Sequence, residues 1–360
     1  MSELTGIERM QRILRRQPVD RIGLYEHFWD DTQKHWASQG KVGVSEDLAS
    51  HFGFDMSECW CFNLIADLDH VPQTVEETAE TILIRDGNGA LLRRHKLHDT
   101  SPEHVGYQVT DREGWEEHIK PRLTADRRRI DFAAYRRAKE EARRHQRFFV
   151  WSGVNVFESM HPVCGHENLL AGMALDPEWI QDMVASYARL LLELQEILFA
   201  EEGQPDGVWY YDDMGFKEHP MFSLDMYREI IQPGHKQTIA ANHARGLPVI
   251  MHSFGFVEPL LPAMVESGID CLQVIEIKAG MDPLRIKRNF GDRLSLMGGI
   301  DVRSIYTNDR AVIERELQAK VRALMPGFGF TLHSDHSIPK TVDYETYRWF
   351  IQRGLELGRY

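Results

Sequence analysis

Gly327-Phe328-Gly329-Phe330-Thr331-Leu332-His333-Ser334-Asp335-His336-Ser337-Ile338-Pro339 is the stretch whose reading decides the fold. A short apolar run of this kind is a buried strand. It carries His333, Asp335 and His336 out at its C-terminal end. Leu247-Pro248-Val249-Ile250-Met251-His252 ends the same way, and Cys271-Leu272-Gln273-Val274-Ile275-Glu276 ends in a carboxylate. Three buried strands that each finish in a metal-capable or acid/base side chain place one site at the C-terminal rim of a parallel β structure, where α/β barrels carry their chemistry. The expectation is an enzyme.

Outward from these runs the chain alternates strand and helix. Strand-like segments fall at residues 21–28, 54–64, 148–151, 207–211 and 294–298. Helical segments fall near 32–39, 168–175, 177–201, 224–243, 257–266, 283–289, 310–325 and 344–357. One region breaks the alternation. Asp86-Gly87-Asn88-Gly89 is a hairpin turn signal, because Gly and Asn accept positive φ, and it is flanked by strand-like 73–84 and 90–96. These features give an α/β fold, a (β/α)8 TIM barrel, as a single domain over residues 1–360 with a hairpin excursion at about 70–98. An open doubly wound sheet ranks second, since no glycine-rich phosphate loop follows the first strand.

Composition narrows the function classes. The net charge of −13 with no compensating basic stripe argues against a nucleic-acid partner. The clusters Arg127-Arg128-Arg129 and Arg143-Arg144 are interleaved with acids and read as solvated helix faces. Cys59, Cys61, Cys164 and Cys271 lack disulfide-scaffold or zinc-finger spacing, which points to a reducing cytoplasm. Residues 1–16 lack a signal-peptide core, and no apolar run is long enough for a membrane span.

The strand ends converge in a barrel, so His252, Glu276 and Asp335 are the expected ligands of a divalent metal with an open position for substrate, and His333 or His336 is the reserve. Structural readings stand beside these. His252 would be a rim histidine, Glu276 a partner of Lys278, Asp335 an N-cap, and the other two histidines backbone-bonded. Asp212 ends another strand and is a candidate acid/base, with Glu26 and His27 at the end of the first strand as further catalytic candidates. Phe28, Trp29, Trp60, Trp151 and Phe254 gather near the expected rim. Most such residues pack cores, but a subset would form an apolar substrate slot.

Several of these segments together resemble the uroporphyrinogen decarboxylase superfamily: Arg16-Gln17-Pro18-Val19-Asp20-Arg21, His252-Ser253-Phe254-Gly255, Lys278 to Asp282, Gly298-Gly299-Ile300-Asp301 and His333 to Pro339. The resemblance covers most of the chain and is firmest from about residue 206. It implies a (β/α)8 barrel, and a choice between true decarboxylases and cobalamin-dependent methyltransferases that use zinc. The decarboxylases carry an arginine-bearing segment after the first strand that holds the substrate's carboxylates. Here that stretch is Tyr25-Glu26-His27-Phe28-Trp29-Asp30-Asp31, which would repel a polyanion.

The methyltransferase branch carries a His-Xaa-Cys motif, an acid some two dozen residues later and a distal Cys. This chain keeps His252 and Glu276 but has Phe254 and Asp335 near the cysteine positions. An oxygen-rich site suits zinc or another divalent metal, and is a stronger Lewis acid than a thiolate site. The resemblance thus implies a methyltransferase that takes a methyl group from a small methoxylated, aromatic donor to the cobalamin of a separate corrinoid protein. A decarboxylase, or another metal-dependent lyase or hydrolase on the same barrel, is the alternative; a non-catalytic small-molecule binder would not need three metal-capable strand ends.

Overall fold

A computed structural model describes residues 3–97 and 102–360. Its strands are β1 Gly23–Leu24, β2 Met56–Trp60, β3 Gln73–Glu77, β4 Thr81–Arg85, β5 Leu91–His95, β6 Glu103–Gly106, β7 Phe148–Val154, β8 Gly207–Tyr211, β9 Val249–Ser253, β10 Cys271–Val274, β11 Ser295–Gly298 and β12 Phe330–Leu332. Eight of them form one parallel sheet in the order β1-β12-β11-β10-β9-β8-β7-β2, with helices between successive strands. This is the barrel read from the sequence. The strands read as continuous apolar runs because both faces are covered.

The sheet curls until its two edge strands meet. No ladder joins β1 to β2; Asp55 N donates to Leu24 O at 2.9 Å, and Leu24 N donates to the Asp55 carboxylate at 2.8 Å. The same carboxylate accepts from Arg9 at 2.6 Å and Arg21 at 2.7 Å. Arg9 lies on the helix Gly6–Leu14, started by a capping box between Thr5 and Glu8. That helix buries Met10, Ile13 and Leu14, and Ser295 Oγ donates to Ile13 O at 2.7 Å, so it packs under the strand starts.

The early excursion is larger than a hairpin. β3 to β6 form a separate antiparallel sheet in sequence order. The turn at 86–89 is as expected, with the Asp86 carboxylate accepting from Asn88 N and Ala90 N, both at 2.9 Å. The run 73–84, however, is two strands. The Thr78 hydroxyl accepts from Thr81 N at 2.9 Å and from Glu80 N at 3.2 Å, a side-chain-closed turn that an apolar pattern does not register. His98, the last residue of the expected excursion, lies outside the described residues. Among the described residues no helix is long and apolar enough to cross a membrane.

Two glycines bear on the mouth. Gly255 has φ of 79°, and a Cβ there would lie 2.4 Å from the Gly215 carbonyl carbon. Bare backbone at this contact lets the loops after β8 and β9 pair, with Gly215 N donating to Phe254 O and Phe256 N to Phe216 O. Gly165 has φ of 76° and breaks the helix Val156–Leu175. A Cβ there would lie 2.3 Å from the Tyr107 ring.

Candidate active site

Strand alternation decides which of two adjacent carboxylates meets the cavity. Asp212 turns to the helix layer. It is fully buried, takes a hydrogen bond from His235 Nε2 at 2.6 Å, and caps the helix at Glu158 N at 2.7 Å. It ties elements together, and the sequence reading of it as an acid/base is replaced by that structural role. Asp213, the next residue, faces the mouth, 3.2 Å from His252 Nε2, and accepts from Phe254 N at 2.8 Å. Burial alone would raise the Asp213 carboxyl, but the His252 ring and Phe254 N–H hold it low. Burial opposes a charge on His252 too, yet Asp213 and Gln273 raise it above the usual imidazole range.

The tautomer of His252 is set from across the barrel. His333 Nδ1 is bonded to Ser334 O, so its Nε2 is an acceptor for Gln273 Nε2 at 3.3 Å, with His27 Nδ1 also 3.3 Å away. Gln273 must then aim its carbonyl oxygen at His252 Nδ1, its hydrogen-bond partner on that side. This leaves Nε2 of His252 as the nitrogen facing Asp213. A lone pair and a carboxylate oxygen at 3.2 Å need a proton or a cation between them. This second layer is the kind that fixes metal-binding histidines. Gln273→Leu is expected to weaken divalent-cation binding by roughly 10–100-fold, read by titration calorimetry; unchanged affinity would remove Gln273 from this role.

His27 lies inside the mouth, where its Nε2 meets Glu58 at 3.0 Å. Glu58 also accepts from Tyr25, Tyr211 and Trp60 at 3.0–3.1 Å. Burial alone would raise its carboxyl, but His27 and these donors hold it at about 2. Glu26 points the other way, accepting from Ser334 N and Oγ at 3.0 Å, and burial pushes it up to about 8. It anchors the His333-Ser334 turn. His333 is buried, and burial followed by the neighbouring His27 holds its ring well below the usual imidazole range.

Asp335 departs from its expected place among metal ligands. Its two oxygens accept from Ile277 N and Val302 N, both at 2.8 Å, so it caps the turns after β10 and β11. Glu276 accepts from Gly255 N at 3.1 Å, and burial with the Asp335 charge raises its carboxyl. Among the described residues no three His, Cys, Asp or Glu side chains converge in metal-holding geometry. The donor chemistry fits a cation at His252 and Asp213, with Glu276 bordering the same cavity as Asp213, and does not fit one at Asp335.

That cavity measures about 520 Å³ and is bordered by Glu158, His161, Asp213, Phe216, Met221, Phe254, Glu276 and Lys278. A second of about 420 Å³ adjoins it through Phe254, Glu276 and Lys278 and reaches Tyr306 and His336. His336 is wedged between Phe254 and Trp29, with ring centroids at 5.3 and 5.8 Å. Of the other expected aromatic residues, Trp60 packs against Tyr211 with ring centroids 4.6 Å apart, and Phe28 packs against Trp36 and Tyr347. Trp151 is not at the mouth. It is fully buried between Phe62 and Tyr210, on the strand face opposite the barrel interior. His161, Glu58 and Gln273 carry no motif in the sequence, and Asp213 is indistinguishable there from its neighbour Asp212.

A sequence model of the family described as uroporphyrinogen decarboxylase (URO-D) matches residues 132–355. No curated protein matches the chain. Among solved structures, a methyltransferase from Methanosarcina mazei superposes with a TM-score of 0.67 at 13% identity, covering 98% of this chain and 99% of that one. The two share a fold over their whole lengths. A Xaa-Pro dipeptidase with bound methionine in its active site reaches a TM-score of 0.32 at 13% identity, over 63% of this chain and 56% of that one, too low to inform the site.

Proposed function

This chain belongs to the uroporphyrinogen decarboxylase family, and from that premise we propose that it is a methyltransferase moving a methyl group from a small methoxylated aromatic compound to a corrinoid protein. The observation that carries the proposal is the His252–Asp213 pair beside a cavity walled by Phe216, Met221 and Phe254. Its volume suits one small, largely apolar molecule. The segment where decarboxylases of this family would hold carboxylates instead borders a cavity with Glu26, Asp30, Glu46, Asp47 and Glu58. Those acids disfavour a polyanionic tetrapyrrole.

In this reading His252 and Asp213 would hold a divalent cation, zinc in the first instance, with Glu276 alongside. When bound, the cation supplies Lewis acidity toward the ether oxygen. Phe254 and Phe216 orient the aromatic ring, Gln273 keeps His252 Nε2 turned to the cavity, and the apolar walls limit water. The open mouth would admit a corrinoid carried by its own protein, which when bound supplies the methyl acceptor.

Purified protein with zinc, reduced cobalamin and a panel of methoxylated aromatics is expected to give methylcobalamin and free phenol, monitored by absorbance, and to stop on chelation. Uroporphyrinogen III is expected to remain unconverted. Decarboxylation at an enzymatic rate would reverse the assignment. Silence across the panel with cobalamin demonstrably reduced would favour a lyase or hydrolase.

A further inference from the structure

We infer that His161, oriented by Glu158, is the proton donor to the oxygen that loses its methyl group; the inference rests on the methyl-transfer reading above. Glu158 and His161 lie one turn apart at the start of the helix Val156–Leu175, with Glu158 Oε1 2.7 Å from His161 Nε2. A carboxylate held to one imidazole nitrogen fixes the ring and leaves the other nitrogen for chemistry. That other nitrogen, Nδ1, is buried and has no hydrogen-bond partner. Orphaned polar atoms are uncommon in native interiors and call for a reason.

The surroundings hold this ring in place. His161 borders the 520 Å³ cavity together with Asp213 and Phe254. The break at Gly165 brings His166 over it, ring centroids 4.4 Å apart and planes within 17°. His104, from β6 of the small sheet, lies 6.0 Å away. Glu158 is itself fixed, its backbone N–H donating to Asp212 and its Oε2 accepting from Asp213 N at 3.4 Å. The imidazole is thus positioned from three sides, and its unpartnered nitrogen gains a partner when an oxygen enters the cavity.

An aryl oxide is a poor leaving group, and a positioned acid typically contributes about 10²–10⁴-fold to such a step. The carbon–oxygen bond breaks with its electron pair left on the aryl oxygen. The methyl carbon bonds to reduced corrinoid cobalt, which supplies both electrons of the new bond. His161 enters this step as the imidazolium, its Nε2–H held by Glu158; its Nδ1 proton passes to the aryl oxygen, leaving a neutral phenol and a neutral ring, and solvent returns the proton to Nδ1.

Leaving-group dependence tests this role. His161→Gln is expected to slow methyl transfer from 2-methoxyphenol by about 10²–10⁴-fold while changing the rate with 4-nitrophenyl methyl ether, whose oxide leaves without a proton, by no more than about threefold. A binding measurement reads the same contact without turnover. Metal-free, corrinoid-free protein should bind 4-nitrophenol, followed by its absorbance, about 10-fold more weakly in the variant. Equal slowing of both ethers, no slowing of either, or unchanged phenol binding would each overturn the assignment.

If His161→Gln folds poorly, judged by its melting temperature, Glu158→Gln serves, with the same selectivity expected for the poorer leaving group. Should the wild-type protein demethylate neither ether, the methyl-transfer reading fails on its own. The phenol-binding comparison still decides whether His161 donates into the cavity.

Discussion

Substitution of His252 by Ala is expected to remove bound divalent cation and to lower methyl transfer by at least about 100-fold, more than the 10–100-fold that loss of an outer partner of a metal ligand brings. His252 is fixed from both sides, by Gln273 at Nδ1 and by Asp213 at Nε2. Without it the Gln273 carbonyl loses its partner and the Asp213 carboxylate keeps only Phe254 N. The resulting instability is about 1–3 kcal/mol, too little to unfold a barrel of this size. Metal content by plasma emission, the turnover assay and a thermal melt together separate the outcomes. A folded variant that keeps a full equivalent of metal would move the cation site elsewhere.

A second large effect is expected at the opposite end of the barrel. Asp55→Ala removes a carboxylate that is nearly fully buried, with 3% of its side chain exposed, and that accepts from Arg9, Arg21 and Leu24 N. Arg21 and the Leu24 amide then lose their carboxylate at the seam between β1 and β2, while Arg9 keeps its pair with Asp20. Removing one member of a buried ion pair costs about 3–5 kcal/mol, so the melting temperature should fall by several degrees. Asp55→Asn, which keeps one acceptor oxygen, should lose less. A melt within a degree of wild type for the Ala variant would mean that the seam is held by packing alone.

Much of the architecture is legible in the sequence because a buried parallel strand announces itself as an apolar run. The runs ending in His252 and Glu276 therefore point correctly to the mouth. What is lost is the facing of residues beyond each strand. Asp212 and Asp213 are indistinguishable in a linear reading, yet one caps a helix behind the sheet and the other meets His252. Asp335 is similarly ambiguous, since its oxygens serve amides of two loops more than thirty residues away in sequence.

Nearness to the strand end suggests the mouth for Trp151, whereas the alternation of strand side chains puts it on the face opposite the barrel interior. The Gln273 contribution was invisible for another reason. A neutral amide inside a strand has no motif, and its importance appears only when His333 and His252 are seen on either side of it.

The pairing of Gly23 with Thr331 sets a timetable for synthesis. β1 emerges first, but its ladder partner β12 follows about three hundred residues later. At about 5–20 residues per second the ribosome needs on the order of 15–60 s to deliver it. Throughout that interval one side of β1 offers unpaired backbone groups to any other strand in reach, the usual starting point of edge-to-edge aggregation. The yield of properly assembled protein should therefore respond to translation speed and to the supply of holding chaperones, even under conditions in which the finished barrel is entirely stable.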